Sequence, residues 1–161
     1  MIQYYYGNGK GKTTAALGQA LRAAGSGMTV LVVQFFKNQE TGELASLQKL
    51  GIPVLRGCAG DGFSLDAAIL AQCKTIHDGN LREAMASPAR MIVLDEVADA
   101  LRLGALDEVL LREALAQERE WVLTGHRKID WLAEQADYVS RVEKEKHPFD
   151  RGEPARKGIE Y

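Results

Sequence analysis

Cysteine is scarce in this chain: Cys58 and Cys73 are the only two. Neither a disulfide framework nor a C-x-x-C pair can be drawn from them, which fits a reduced, cytoplasmic protein. No charge of one sign dominates. The formal net charge is −2, so a protein that coats nucleic acid by bulk charge is excluded. Nothing approaches the run of about 18 apolar residues that a membrane span requires. The opening MIQYYYGNGKGKTT lacks the charged-then-apolar layout of a signal peptide. Internal repeats, linkers and low-complexity blocks are missing too. His77, His126 and His147 show no metal-ligand spacing, so structural or surface roles are expected for them.

What is present alternates. Short apolar runs expected as strands cover residues 2–6, 28–36, 52–55, 91–94, 121–124 and 138–142. Helices are expected over residues 12–24, 41–50, 66–86, 106–117 and 129–135, the third open to a break at His77-Asp78-Gly79-Asn80. Thr29-Val30-Leu31-Val32-Val33 and Met91-Ile92-Val93-Leu94 are apolar without alternation, as in strands covered on both faces. Period two puts Tyr4 and Tyr6 on the opposite face from Tyr5. Trp121 is expected to pack at a strand start and Trp131 to anchor a helix. The pattern predicts one α/β domain over residues 1–161, with a mainly parallel sheet between two helical layers.

The strongest local signal is Gly7-Asn8-Gly9-Lys10-Gly11-Lys12-Thr13-Thr14, set between a strand and a helix. That is where a phosphate-binding loop belongs. Glycines let backbone N–H groups converge on phosphate oxygens, and the helix that follows points its free N–H groups at the same charge. Lys12 supplies a cation, Lys10 a second, and Thr13 a hydroxyl for magnesium. One residue fewer than usual separates the first glycine from the Gly-Lys pair. Asp95 ends an apolar strand and fits two roles: it holds magnesium or its water, or it caps the segment that follows. Glu96 orients a metal ligand or a substrate hydroxyl, or is structural. His126 stands out because it follows a strand-end Thr-Gly, where open parallel sheets gather their sites.

As a set these motifs resemble the ATP:corrinoid adenosyltransferase family. The matching pieces are GNGKGKTTAALGQALRAAGSGMTVLVVQFFK at 7–37, IVLDEVADAL at 92–101, VLTG at 122–125 and ADYVSRVEKEKHPFDRGEPARKGIEY at 136–161. The resemblance implies a three-layer P-loop NTPase-like fold with a RecA-like sheet, in a homodimer. It implies ATP with magnesium or manganese, bound in an inverted sense across the shortened loop. Cobalt(I) of a reduced corrinoid, kept reduced by a reductase partner, attacks the ribose 5′ carbon and triphosphate leaves. By the same resemblance Gly7, Asn8, Gly9, Lys10, Gly11, Lys12, Thr13 and Thr14 bind triphosphate, and Arg22 helps bind nucleotide. Asp95 and Glu96 sit near magnesium and nucleotide, and Phe63 and Leu65 face the corrinoid.

The departures are specific. Leu65 stands where the family has tryptophan, and His126 where it has arginine. Gly7 comes almost at once, so the N-terminal segment that helps cover the corrinoid in relatives is not expected. The loop and the acidic strand end also fit an NTPase, a small-molecule phosphotransferase, or an ATP-binding regulatory module without chemistry.

Overall fold

The computed structural model describes residues 1–59 and 66–159. The described residues form one six-stranded sheet. Its strands are β1 (Ile2–Tyr6), β2 (Val30–Phe35), β3 (Val54–Gly57), β4 (Met91–Asp95), β5 (Glu120–Gly125) and β6 (Tyr138–Arg141), in the order β3-β2-β4-β5-β1-β6. Every neighbouring pair runs parallel. The carboxyl ends of all six strands therefore share one edge, and the loops that follow them share one surface.

The continuous apolar runs have the cause that the sequence suggests: both faces of the sheet are covered. Leu31, Val33, Phe35, Ile92, Leu94, Trp121 and Leu123 face one core. It is completed by α3 (Ala67–Ala86), α4 (Val97–Arg102), α5 (Glu108–Leu115) and α6 (Asp130–Gln135). Val30, Val32, Met91, Val93 and Val122 face the other, beneath α1 (Lys12–Gly25) and α2 (Gly42–Lys49). Tyr4 is fully buried on the first face, with Tyr6 against it, while Tyr5 packs on the second. Trp131 of α6 stacks under the Arg112 guanidinium at 3.7 Å.

Most element bounds differ from the sequence reading by one or two residues, as where β2 spans Val30–Phe35 rather than 28–36 and α5 spans Glu108–Leu115 rather than 106–117, and two differences have a clear cause. The third strand begins at Val54 rather than Ile52, because the Ile52 N–H closes the end of α2 on Leu47 O and Val54 is the first residue to pair with β2. The expected break at His77–Asn80 does not occur, and α3 is continuous. His77 is wholly buried there, edge-on to Phe35 and Phe36. Cys58 and Cys73 are free thiols whose sulfurs nonetheless lie 2.9 Å apart, at the end of β3 and inside α3. Their separation in sequence gives no hint of this.

The last turn of α3 is closed from a distance. The Arg119 guanidinium donates to the carbonyls of Met85, Ser87, Ala89 and, at 3.4 Å, Ala84. A cation there also meets the negative end of the helix dipole. Arg119→Met keeps the stem but loses these bonds. It should cost about 1–3 kcal/mol of unfolding free energy, read as a lower urea midpoint at unchanged slope.

Candidate active site

The glycine loop is shaped first by the chain behind it. Gly7 has φ 127°, and a Cβ there would sit 2.2 Å from the Val142 carbonyl oxygen. A Cβ on Gly9 would sit 2.6 Å from the Glu143 carbonyl oxygen. Gly9 N–H donates to Val142 O and Gly7 N–H to Gly125 O, while Asn8 Oδ1 accepts the Lys144 N–H. The first half of the loop is thus stitched to the ends of β5 and β6. The second half is not. Among the described residues, the N–H groups of Lys10, Gly11, Lys12 and Thr13 donate to no backbone carbonyl. These amides at a helix start, which has no side-chain cap, are left for an anion. Lys12 Nζ curls back to Gly9 O at 2.8 Å. Burial holds its ammonium below the ordinary lysine range, against the pull of Asp99, Glu96 and Asp95.

Asp95 is fully buried at the end of β4. Its Oδ1 accepts from the hydroxyls of Thr13 and Thr124, each at 2.8 Å. Its Oδ2 accepts from Lys37 Nζ at 2.6 Å. These bonds go across the site, not to the segment that follows, so the capping role does not describe Asp95. The residue before α4 is Glu96, in the left-handed region at φ 64° and without a side-chain cap. Its N–H is held by Thr124 Oγ1 at 2.7 Å, which offsets the strain of that turn. Burial raises the Glu96 carboxyl above its usual range, with Lys37 opposing.

Lys37 was missed as a site residue. It follows Phe36, another left-handed residue at φ 57°, whose N–H donates to His77 Nε2 at 3.2 Å. His77 Nδ1 faces Ala105 O at 2.8 Å and so carries the proton. Burial keeps this imidazole below its ordinary pKa and hence neutral. His77 is a strut that turns the chain after β2 and aims Lys37 at Asp95. Burial opposes the Lys37 charge, but Asp95 and Glu96 together hold it above the ordinary range.

A cleft of about 930 Å³ opens over this edge. The loop from Asn8 to Thr14 forms its floor, with Lys37, Glu96, Thr124 and His126 on one side. Leu17, Leu21, Leu47 and Leu50 make an apolar wall between α1 and α2. His147, Gly158 and Ile159 close it from the tail. The structure therefore brings Asn8, Gly9, Lys10, Gly11, Lys12, Thr13, Thr14 and Glu96 to one cavity, with Asp95 directly beneath. Gly7 lies just behind the floor. Arg22 is on the exposed last turn of α1, outside the cleft lining. Phe63 and Leu65 lie outside the described residues. No cluster of three or more His, Cys, Asp or Glu able to hold a metal occurs among the described residues, so any cation here would need oxygen from Thr13 and from the ligand itself.

Residues 1–161, the whole chain, match the family described as ATP:corrinoid adenosyltransferase BtuR/CobO/CobP. The chain belongs to this family. The corrinoid adenosyltransferase of Pseudomonas aeruginosa is 35% identical over 169 residues, covering 100% of this chain and 83% of the relative. That of Escherichia coli K12 is likewise 35% identical, over 100% of this chain and 85% of its own length. The Salmonella typhimurium corrinoid adenosyltransferase CobA is 34% identical with the same coverage. The adenosyltransferase family is an enzyme family, so the cleft is a candidate catalytic site rather than a regulatory pocket. No helix among the described residues is long and apolar enough to cross a membrane.

Proposed function

We propose that this protein transfers the 5′-deoxyadenosyl group of ATP to the cobalt(I) atom of a reduced corrinoid, releasing triphosphate. The observation that carries the reading is the set of four undonated amides beside Lys12, at a cleft lined by Thr13 with Asp95 buried beneath it. In the reaction a cobalt–carbon bond forms at the ribose 5′ carbon. The carbon–oxygen bond to the phosphate chain breaks, and its electron pair leaves with triphosphate. The nucleophile arrives with the substrate, so no serine, cysteine or general base of the protein is needed.

The protein's contribution is placement and charge. The amides of Lys10 to Thr13 and the Lys12 ammonium hold the departing triphosphate as its charge grows. Oxygen donors suit magnesium, and the Thr13 hydroxyl, which spends its hydrogen on Asp95, keeps its lone pairs for a hard cation. Asp95 would hold that cation through water, because both its oxygens already serve protein donors. Magnesium, when bound, neutralises part of the phosphate charge. The reading includes a P-loop, RecA-like architecture in a single domain. A strand, β5, separates the strand of the glycine loop from that of the acidic end, which agrees with it. Phe63 and Leu65 as a corrin wall, Arg22 as a nucleotide ligand, a homodimer, a reductase partner and a cytoplasmic location belong to the same proposal.

The test is anaerobic. ATP, magnesium and chemically reduced corrinoid should give adenosylcorrinoid and triphosphate in equal amounts. Orthophosphate or ADP as the main product would instead favour an NTPase or phosphotransferase.

A further inference from the structure

The cleft contains one device that the reaction above leaves unused. His126 follows β5 directly. Its backbone N–H donates to Asp99 Oδ2 at 2.8 Å, and its ring Nδ1 lies 3.0 Å from the same oxygen. The Asp99 side chain is only 9% exposed, whereas that of His126 is 58% exposed and lines the cleft with Lys12 and Thr13. The carboxylate accepts and does not donate, so Nδ1 carries a proton and Nε2 is the nitrogen left for the cleft. The pair is fixed by packing. A Cβ on Gly125 would stand 2.4 Å from Ala98 Cβ, so β5 and α4 touch where the two residues meet.

We propose that His126, positioned by Asp99, is a titratable cation for the triphosphate group: protonated, its Nε2–H donates to a phosphate oxygen; neutral, that bond is lost. The inference rests on the triphosphate reading of the loop. The charged groups around the ring come from every element packed there. Asp99 and Arg102 lie on α4, with 3.7 Å between Arg102 Nη2 and Asp99 Oδ1. Glu96 precedes α4 and Lys12 comes from the loop, while Lys10 and His147 line the same cleft from the loop and the tail. The Asp99 hydrogen bond is the largest influence and raises the His126 pKa, Asp99 and Glu96 charges add to it, and burial and Lys12 oppose. A raised pKa means the cation is present at and below the ordinary histidine range and is lost as pH rises through the folded value.

The probe is inorganic triphosphate with magnesium, binding to the full chain in a calorimeter between about pH 6 and pH 8.5. The wild-type chain should lose about tenfold or more in affinity across that range, the worth of one charge-assisted hydrogen bond. His126→Arg, a fixed cation, should show no such loss. His126→Gln should bind weakly at low pH and also lack the fall. Asp99→Asn, with folding checked by its melting temperature, should move the midpoint to lower pH; a merely structural aspartate would leave the midpoint in place. Parallel pH curves for wild type and His126→Gln would overturn the proposal while leaving the loop reading intact. Failure of wild type to bind triphosphate at any pH would overturn the loop reading, and this inference with it.

Discussion

Replacing Lys12 with alanine is expected to lower adenosyl transfer by roughly 10²–10³-fold, the usual loss on removing one preorganised donor from a developing anion. Among the described residues, the Lys12 side chain makes one hydrogen bond, to Gly9 O within its own loop. The fold should therefore survive its removal, and the loss should appear in rate and triphosphate affinity, not in melting temperature. Burial already weakens the hold of this side chain on its proton. Triphosphate beside it works against that effect, so the interaction is strongest when the leaving group is most negative. Lys12→Arg should recover little, because a planar fork does not replace a compact ammonium in a loop closed by backbone contacts. The measurement is the anaerobic rate of adenosylcorrinoid formation at saturating ATP. A loss of less than about tenfold would show that the amides alone carry the charge.

Asp95→Ala should be the most damaging single change to the fold at this site, about 3–5 kcal/mol. The carboxylate is fully buried and receives three donors from three different elements. Removing it leaves the Lys37 ammonium, which is only 21% exposed, with the more distant Glu96 carboxylate at 3.8 Å, and leaves the Thr13 and Thr124 hydroxyls without their acceptor. Adding Lys37→Met should return part of the loss, since the second change removes a buried charge that has lost its nearest partner. Urea unfolding of the two single variants and the double variant measures the coupling. Additive losses would mean that Lys37 and Asp95 do not depend on each other.

The parts of this site that could be read from sequence are those that are contiguous in it. The loop from Gly7 to Thr14 folds as a turn into a helix, so its spacing carries its chemistry. Asp95 announces itself by ending an apolar run. Lys37, Thr124 and Asp99 do not, because their partners lie 58, 29 and 27 residues away in the chain. Only the strand order makes them neighbours. A partial signal existed: Lys37, Thr124 and His126 all sit at or just past strand ends, and parallel strands bring such ends to one edge. The short helix α4 was invisible for a different reason. At six residues it is too brief for an apolar stripe, and it begins from a left-handed glutamate rather than a capping serine or aspartate. Arg22 is assigned to nucleotide by family likeness alone, since nothing in the local pattern marks an arginine in the last turn of a helix as a ligand.

The seam between the glycine loop and the carbonyls of Val142 and Glu143 has a temporal meaning. The loop is translated before the segment that backs it. Until residues 142 and 143 are made, the nascent chain holds the phosphate-binding letters but not the surface that shapes them. Nucleotide bound at the loop should therefore favour the chain in which the sixth strand has docked, which links occupancy of the cleft to completion of the sheet.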